Sequence, residues 1–186
     1  MLSLALLGSG CSGSKTASTP TAPAQITAKQ ALPIAMSALA TTAPDAKLLV
    51  GQSAQPITAT STPVWEFLLG SPKTDVVYAV IVMGGKGQAQ EYGKAGLTAD
   101  EWAKVPSVDA WKVDSDVAHQ KAITVYSNGK NAAYVMGFVT YVPAKAKTPD
   151  SKPQIWVVNF DPASIGHATT STVDVSMTTG AASLAK

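Results

Sequence analysis

Arginine is absent from this sequence, cysteine occurs once, at Cys11, and histidine twice, at His119 and His167. Each shortage removes a class of function. All fourteen basic residues are lysine, set against twelve acidic residues for a net charge of +2. Without the guanidinium fork that reads guanine and clamps phosphate, and without concentrated positive charge, nucleic-acid binding is not expected. The densest basic run, Lys145, Lys147 and Lys152, is interleaved with Ala and Pro and reads as a solvated loop. A lone cysteine forbids an intramolecular disulfide. The two histidines have no partner at metal-ligand spacing, the acidic residues form no calcium-loop pattern, and there is no GxSxG elbow. No catalytic residue, metal ligand or cofactor-binding residue is therefore expected, and the protein is not expected to be an enzyme; a hidden hydrolase triad is the remote alternative. Apolar runs of the ~18 residues that a membrane-spanning helix needs are missing too.

What is there begins at the N-terminus. Residues 1–10 read MLSLALLGSG, an apolar run followed by small residues and then Cys11. This resembles the lipobox of bacterial lipoproteins, with Gly8 where that family usually has Leu. The resemblance implies a lipid on Cys11 and a location in the bacterial cell envelope, outside the cytoplasm, with the membrane as one partner through the anchor. Residues 1–11 are then a lipoprotein signal with its lipidated cysteine. The run Leu2 to Leu7 is shorter than the roughly 7–15 apolar residues of a working signal and lacks a basic flank, so further residues are expected upstream. Residues 12–25, SGSKTASTPTAPAQ, have the composition of a disordered tether, able to reach on the order of 45 Å when extended.

The body shows helix and strand signals in turn. Thr27 and Gln30 have capping-box spacing ahead of a helix to Thr42 that is either kinked at Pro33 or begins only near Ala31, and that stops at Pro44. Strands are expected over 47–53, 64–70 and 75–83. The last, DVVYAVIVM, is apolar on both alternating faces, as for a strand covered on both sides or lying in an interface. Gly84-Gly85-Lys86-Gly87 lacks phosphate-loop spacing and reads as a hairpin turn. A connector, 93–113, holds a short helix with Thr98 and Glu101 at capping-box spacing. Asp114 caps a helix over 115–127 with an apolar stripe of Ala118, Ala122 and Val125, and Asn128-Gly129 closes it. His119 falls on that helix's solvated flank, and His167 in a loop. Strands follow over 132–143, 154–160 and 171–178. Trp65, Trp102, Trp111 and Trp156 read as core.

The halves repeat the same order about ninety residues apart: capped helix, strand, polar loop, Trp-bearing strand, terminal strand with a Gly turn. The expected fold is α+β, a duplicated α-β-β-β module, each with a helix packed on an antiparallel sheet, over units 26–92 and 114–186. Asp114-Ser115-Asp116-Val117-Ala118, Trp156, Val173-Asp174-Val175 and Thr179-Gly180 resemble the helix start, W-x-V strand and terminal hairpin of the PepSY domain. In the first half Ala31 to Ala38, Pro44 to Leu48 and Trp65 resemble it more loosely. That resemblance implies a non-enzymatic, protein-binding or protease-modulating module whose partner is an exported protein. A carrier or sensor of a small amphiphile is the alternative. The strand 172–178 alternates, with Val173, Val175 and Met177 on one face, so Thr172, Asp174 and Ser176 are the candidate partner-binding edge.

Overall fold

Both capping boxes form. The computed structural model describes residues 25–143, 145, 152–161 and 171–185; Cys11, Lys147 and His167 lie outside them, as do the signal and most of the tether. Helix α1 (Ala28–Ala38) starts where Thr27 Oγ1 accepts the Gln30 amide at 3.3 Å and Gln30 Oε1 accepts the Thr27 amide at 3.0 Å. Its other early amides meet a second helix, α3 (Ser115–Val125): Ala28 N donates to Ser115 Oγ and Lys29 N to Asp114 Oδ1, each at 3.0 Å. Asp114 thus lays its carboxylate against two positive helix ends at once, since it also accepts the Ser115 amide at 2.7 Å. Pro33 lies inside α1, and the helix ends at Ala38, well before Pro44.

Among the described residues eight strands follow or interleave: β1 (Lys47–Ser53), β2 (Trp65–Gly70), β3 (Val76–Met83), β4 (Lys86–Lys94), β5 (Val135–Val139), β6 (Ile155–Asn159), β7 (Thr172–Ser176) and β8 (Ala182–Leu184). Between β4 and α3 runs the connector with the short α2 (Ala99–Lys104), where Thr98 and Glu101 cap reciprocally. The strands make one sheet in the order β4-β3-β2-β1-β5-β6-β7-β8, each neighbouring pair antiparallel. The protein is therefore α+β, with one sheet spanning both halves. The halves join where Val50, Gly51 and Gln52 of β1 oppose Val139, Phe138 and Gly137 of β5.

Two expectations on the strands are corrected. Each half contributes four strands rather than three, because β4 and β8 complete two terminal hairpins. The β4 segment KGQAQEYGK is polar and carries no alternation, which hid it. It forms because Gly84 and Gly85, with φ of 57° and 76°, supply the two left-handed residues of a tight hairpin. In the second half Gly180, at φ 73°, turns the chain back, and Ser176 Oγ accepts the Thr178 and Thr179 amides to tighten the reversal. β8 then pairs with β7 through Val173↔Leu184, Asp174↔Ser183 and Val175↔Ala182. Thr172, Asp174 and Ser176 therefore sit between two strands and are not an edge; Asp174 is further occupied by an ion pair with Lys152 at 2.6 Å.

Both long helices lie on one face of the sheet. Against them the strands turn Leu48, Trp65, Phe67, Leu69, Val80, Val82, Met136, Phe138, Trp156, Val158, Val173 and Val175, all buried. All four tryptophans are buried, as expected. Trp156 is the hub: its ring meets Trp65 at 6.3 Å, Trp111 at 5.7 Å and Phe138 at 4.6 Å, all edge-on, arrangements worth about 0.5–1.5 kcal/mol each beyond their area. No indole N–H is wasted. Trp65 Nε1 donates to Ile26 O at 2.9 Å, and Trp111 and Trp156 Nε1 share Val113 O at 2.7 and 2.8 Å.

Gly51 sits where the joining strands meet this cluster. A Cβ there would lie 2.6 Å from Phe138 Cζ and 3.3 Å from Phe67 Cδ1, rings with no room to yield. Gly51→Ala is expected to destabilise the fold by about 1–3 kcal/mol. Urea unfolding of the two proteins checks this, and an unchanged midpoint would contradict the close fit.

Candidate functional site

The face turned away from α1 and α3 is where the sequence leaves apolar groups in the open. Since Trp65, Phe67 and Leu69 point to the helices, Glu66, Leu68 and Gly70 point away, and the register carries that face across the sheet. One row runs Ala79, Leu68, Val50, Val139 over β3, β2, β1 and β5, every member half-buried and aliphatic. The next row runs Ile81, Glu66, Gln52, Gly137, Val157, Asp174. Its centre is polar, Gln52 Nε2 donating to Glu66 Oε2 at 2.6 Å, and its flanks are Ile81 and Val157, 42% and 41% exposed. Met83 on β3 extends the open apolar surface.

α2 caps one end of this face. The Trp102 ring takes the space that Gly70 leaves, since a Cβ there would come within 2.4 Å of Trp102 Cη2 and 2.9 Å of Leu49 Cδ1. Lys47 Nζ holds the C-terminal end of α2 through Trp102 O at 2.8 Å, and Trp102 Nε1 donates to Asp75 Oδ1 at 3.2 Å. Across the central strands no described helix lies over the aliphatic row. The double apolar pattern of DVVYAVIVM was the signal: Val80 and Val82 are buried under the helices, while Ile81 and Met83 remain open on the other face.

A narrow cleft lined by Leu48, Trp111, Thr140 and Met177 among others holds about 10 Å³, space for about one water. A second depression of about 360 Å³ is an open trough beside α1, where Lys29, Lys112 and Asp109 surround Leu32, Pro33, Val108 and Trp111.

His119 departs from the expected solvated flank. Its ring stacks on Tyr134 with centroids 4.0 Å apart and planes 8° from parallel, and Phe160 lies 5.9 Å away. Gly129 makes room for Phe160, whose ring would come within 2.5 Å of a Cβ there. The chain after α3 had to fold back over the helix before this could be seen. His119 Nε2 is buried with no hydrogen-bond partner, and burial pushes its imidazole pKa down. Burial, with the Asp116 charge second, pushes the Tyr134 hydroxyl up to about 12. Val125, expected in the buried stripe of α3, is exposed, whereas Ala118 and Ala122 are buried. Among the described residues no three His, Cys, Asp or Glu side chains gather as metal ligands, and no helix is long and apolar enough to cross a membrane.

Compared with known proteins, the chain matches no family model, no curated sequence and no solved structure.

The His119 environment sets a pH dependence. The unfolded chain protonates this imidazole near pH 6.5 and the folded chain only at lower pH, so below 6.5 the unfolded state holds more protons. This contribution is fully present above 6.5 and is lost as pH falls toward the folded value. His119→Phe keeps the stack and removes the orphaned nitrogen. Its unfolding free energy, measured in urea across this range, should fall less steeply with acidification than that of the parent; equal slopes would rule the effect out.

Proposed function

We propose that this protein is a non-enzymatic lipoprotein of the bacterial cell envelope, anchored through Cys11, whose body is a tandem PepSY-like module that binds another exported protein through its helix-free sheet face. The observation that carries the reading is the continuous aliphatic row Ala79, Leu68, Val50, Val139 on an open face, flanked by Ile81 and Val157 and edged by Glu66, Gln52 and the Lys152–Asp174 pair. An apolar centre with a polar rim is the composition of a protein-binding patch, and scattered exposed leucines would not line up across four strands.

The proposed duplication is supported by equivalences beyond element order. In each half a capped helix is followed by four strands, and the second of these carries the tryptophan, Trp65 on β2 and Trp156 on β6. Each indole donates to the carbonyl of the residue just before the helix cap, Ile26 ahead of Thr27 and Val113 ahead of Asp114. The two halves meet through antiparallel strands with Gln52 opposite Gly137, the arrangement that a twofold relation between repeats produces. The module so described is α-β-β-β-β. A carrier of a small amphiphile draws less support, because the space of ligand size beside α1, about 360 Å³, is an open trough that Lys29, Asp109 and Lys112 share with its apolar residues, whereas ligand pockets of roughly 300–1,000 Å³ bury most of their ligand among apolar groups.

The test is cross-linking in intact cells followed by mass spectrometry, with Ile81→Lys and Val157→Lys as the face variants, each placing its charge opposite an acid, Glu66 or Asp174. Both positions are open enough that each change should alter stability by less than about 0.5 kcal/mol. One exported protein recovered with the parent chain and lost with the variants is the expected result. A co-purifying small molecule with no protein partner would overturn it. Separately, Cys11→Ser should release the chain from the membrane fraction, and unchanged fractionation would remove the anchor from the proposal.

A further inference from the structure

β4 is the outermost strand of the first half and pairs with β3 alone. Its two-residue turn makes Met83 and Lys86 the closing hydrogen-bonded pair, so Ile81↔Gln88 and Ala79↔Gln90 are the next ones along the ladder. The N–H and C=O groups of Gly87, Ala89 and Glu91 therefore point away from the sheet, and none of their amides donates elsewhere among the described residues. Lysines and bulges are devices that guard edges against pairing, and here they stand at the ends of the strand. Lys86 and Lys94 are terminal, and the bulge falls at Tyr92, between the pairs Tyr78↔Glu91 and Val77↔Gly93. Residues 87–91 are left as a regular, proline-free edge, exposed from Gln88 to Glu91. The opposite edge of the sheet, β8, has three residues and offers little ladder.

We infer that a second copy of this chain pairs with β4 edge to edge, antiparallel about Ala89, merging two sheets into one. Three features select this partner and register. Pairing Gly87 with the second copy's Glu91, Ala89 with its Ala89, and Glu91 with its Gly87 uses all the outward groups and closes about six hydrogen bonds, where a shift of two residues either way closes about four. Like charges never stand opposite each other: Lys86 faces the 72% exposed ring of Tyr92, and Gln88 faces Gln90. Gly87 and Ala89 present almost no side chain on the helix side, where α1 lies so low that a Gly87 Cβ would be 3.0 Å from Ile34 O and 3.1 Å from Ala38 Cβ. The same operation already holds the monomer together at β1 and β5, where two antiparallel strands join four-stranded halves with both helices on one face. This edge is distinct from the helix-free face, so the two surfaces can be occupied at once.

The experiment uses the full chain carrying Cys11→Ser. Light scattering should give twice the 19.1 kDa chain mass. With Ala89→Cys added, mild oxidation should yield a disulfide-linked dimer, because directly opposed residues of a hydrogen-bonded pair lie about 5.5 Å apart at Cα, within disulfide reach. Gln52→Cys, on the helix-free face, should not cross-link. Ala89→Pro, which removes an outward N–H, should lose the dimer while its melting temperature stays near the parent's. A monomer at every concentration overturns the inference, as does a dimer that links through Gln52→Cys and not through Ala89→Cys. Neither result touches the proposal for the face, whose partner is a different protein.

Discussion

The pairing of β1 with β5 is the contact on which the rest of the molecule depends. It is short, three residue pairs from Val50↔Val139 to Gln52↔Gly137, yet it turns two four-stranded hairpin sets into one sheet with one core. Gly51 makes the junction close enough for Phe138 to reach across it, and Phe138 in turn packs on Trp156 and Trp111. Thr140 Oγ1 fastens the same join by donating to Leu48 O at 2.6 Å. Separate, each half would be a small sheet with one helix, near the size at which a hydrophobic core becomes marginal. Together they bury the aromatic cluster completely.

The helix ends obey the same constraint. α1 and α3 start side by side above the join, and their unsatisfied amides would repel if left facing each other. Asp114 and Ser115 resolve this by accepting the amides of Lys29 and Ala28. The tryptophan N–H groups then tie the entries of both helices to the strands below, through Ile26 O and Val113 O. Loss of Asp114 would therefore disturb two helices, although the sequence presents it as the cap of one.

With both long helices committed to one face, α2 at one end is the only α-helix among the described residues on the other. A protein that needed only to be soluble would place polar residues there, as β7 does with Asp174 and Ser176. The central strands place Ala79, Leu68, Val50 and Val139 there beside the Gln52–Glu66 pair, and that departure is what makes the face a binding surface in our proposal.

Much was legible in the sequence because local chemistry decides it. Thr27 with Gln30 and Thr98 with Glu101 cap helices wherever they occur, alternating aliphatic runs make strands, and Gly84-Gly85 reverses a chain. Pro33 did not break α1, since tertiary packing outweighed the lost hydrogen bond. β4 could not be read, because its residues carry no pattern and its pairing is dictated by β3. Nor could the position of β7 be read, for whether a strand is an edge depends on what the chain does afterwards, and here three residues, Ala182 to Leu184, decide it. The burial of His119 against Tyr134 was equally out of reach, as was the aliphatic row itself, whose members come from four strands and become neighbours only through register. Composition and spacing determined most of the elements, their caps and the tryptophan core; β4, the order of strands, the single sheet and the open face were decided by long-range pairing, which no local window of sequence contains.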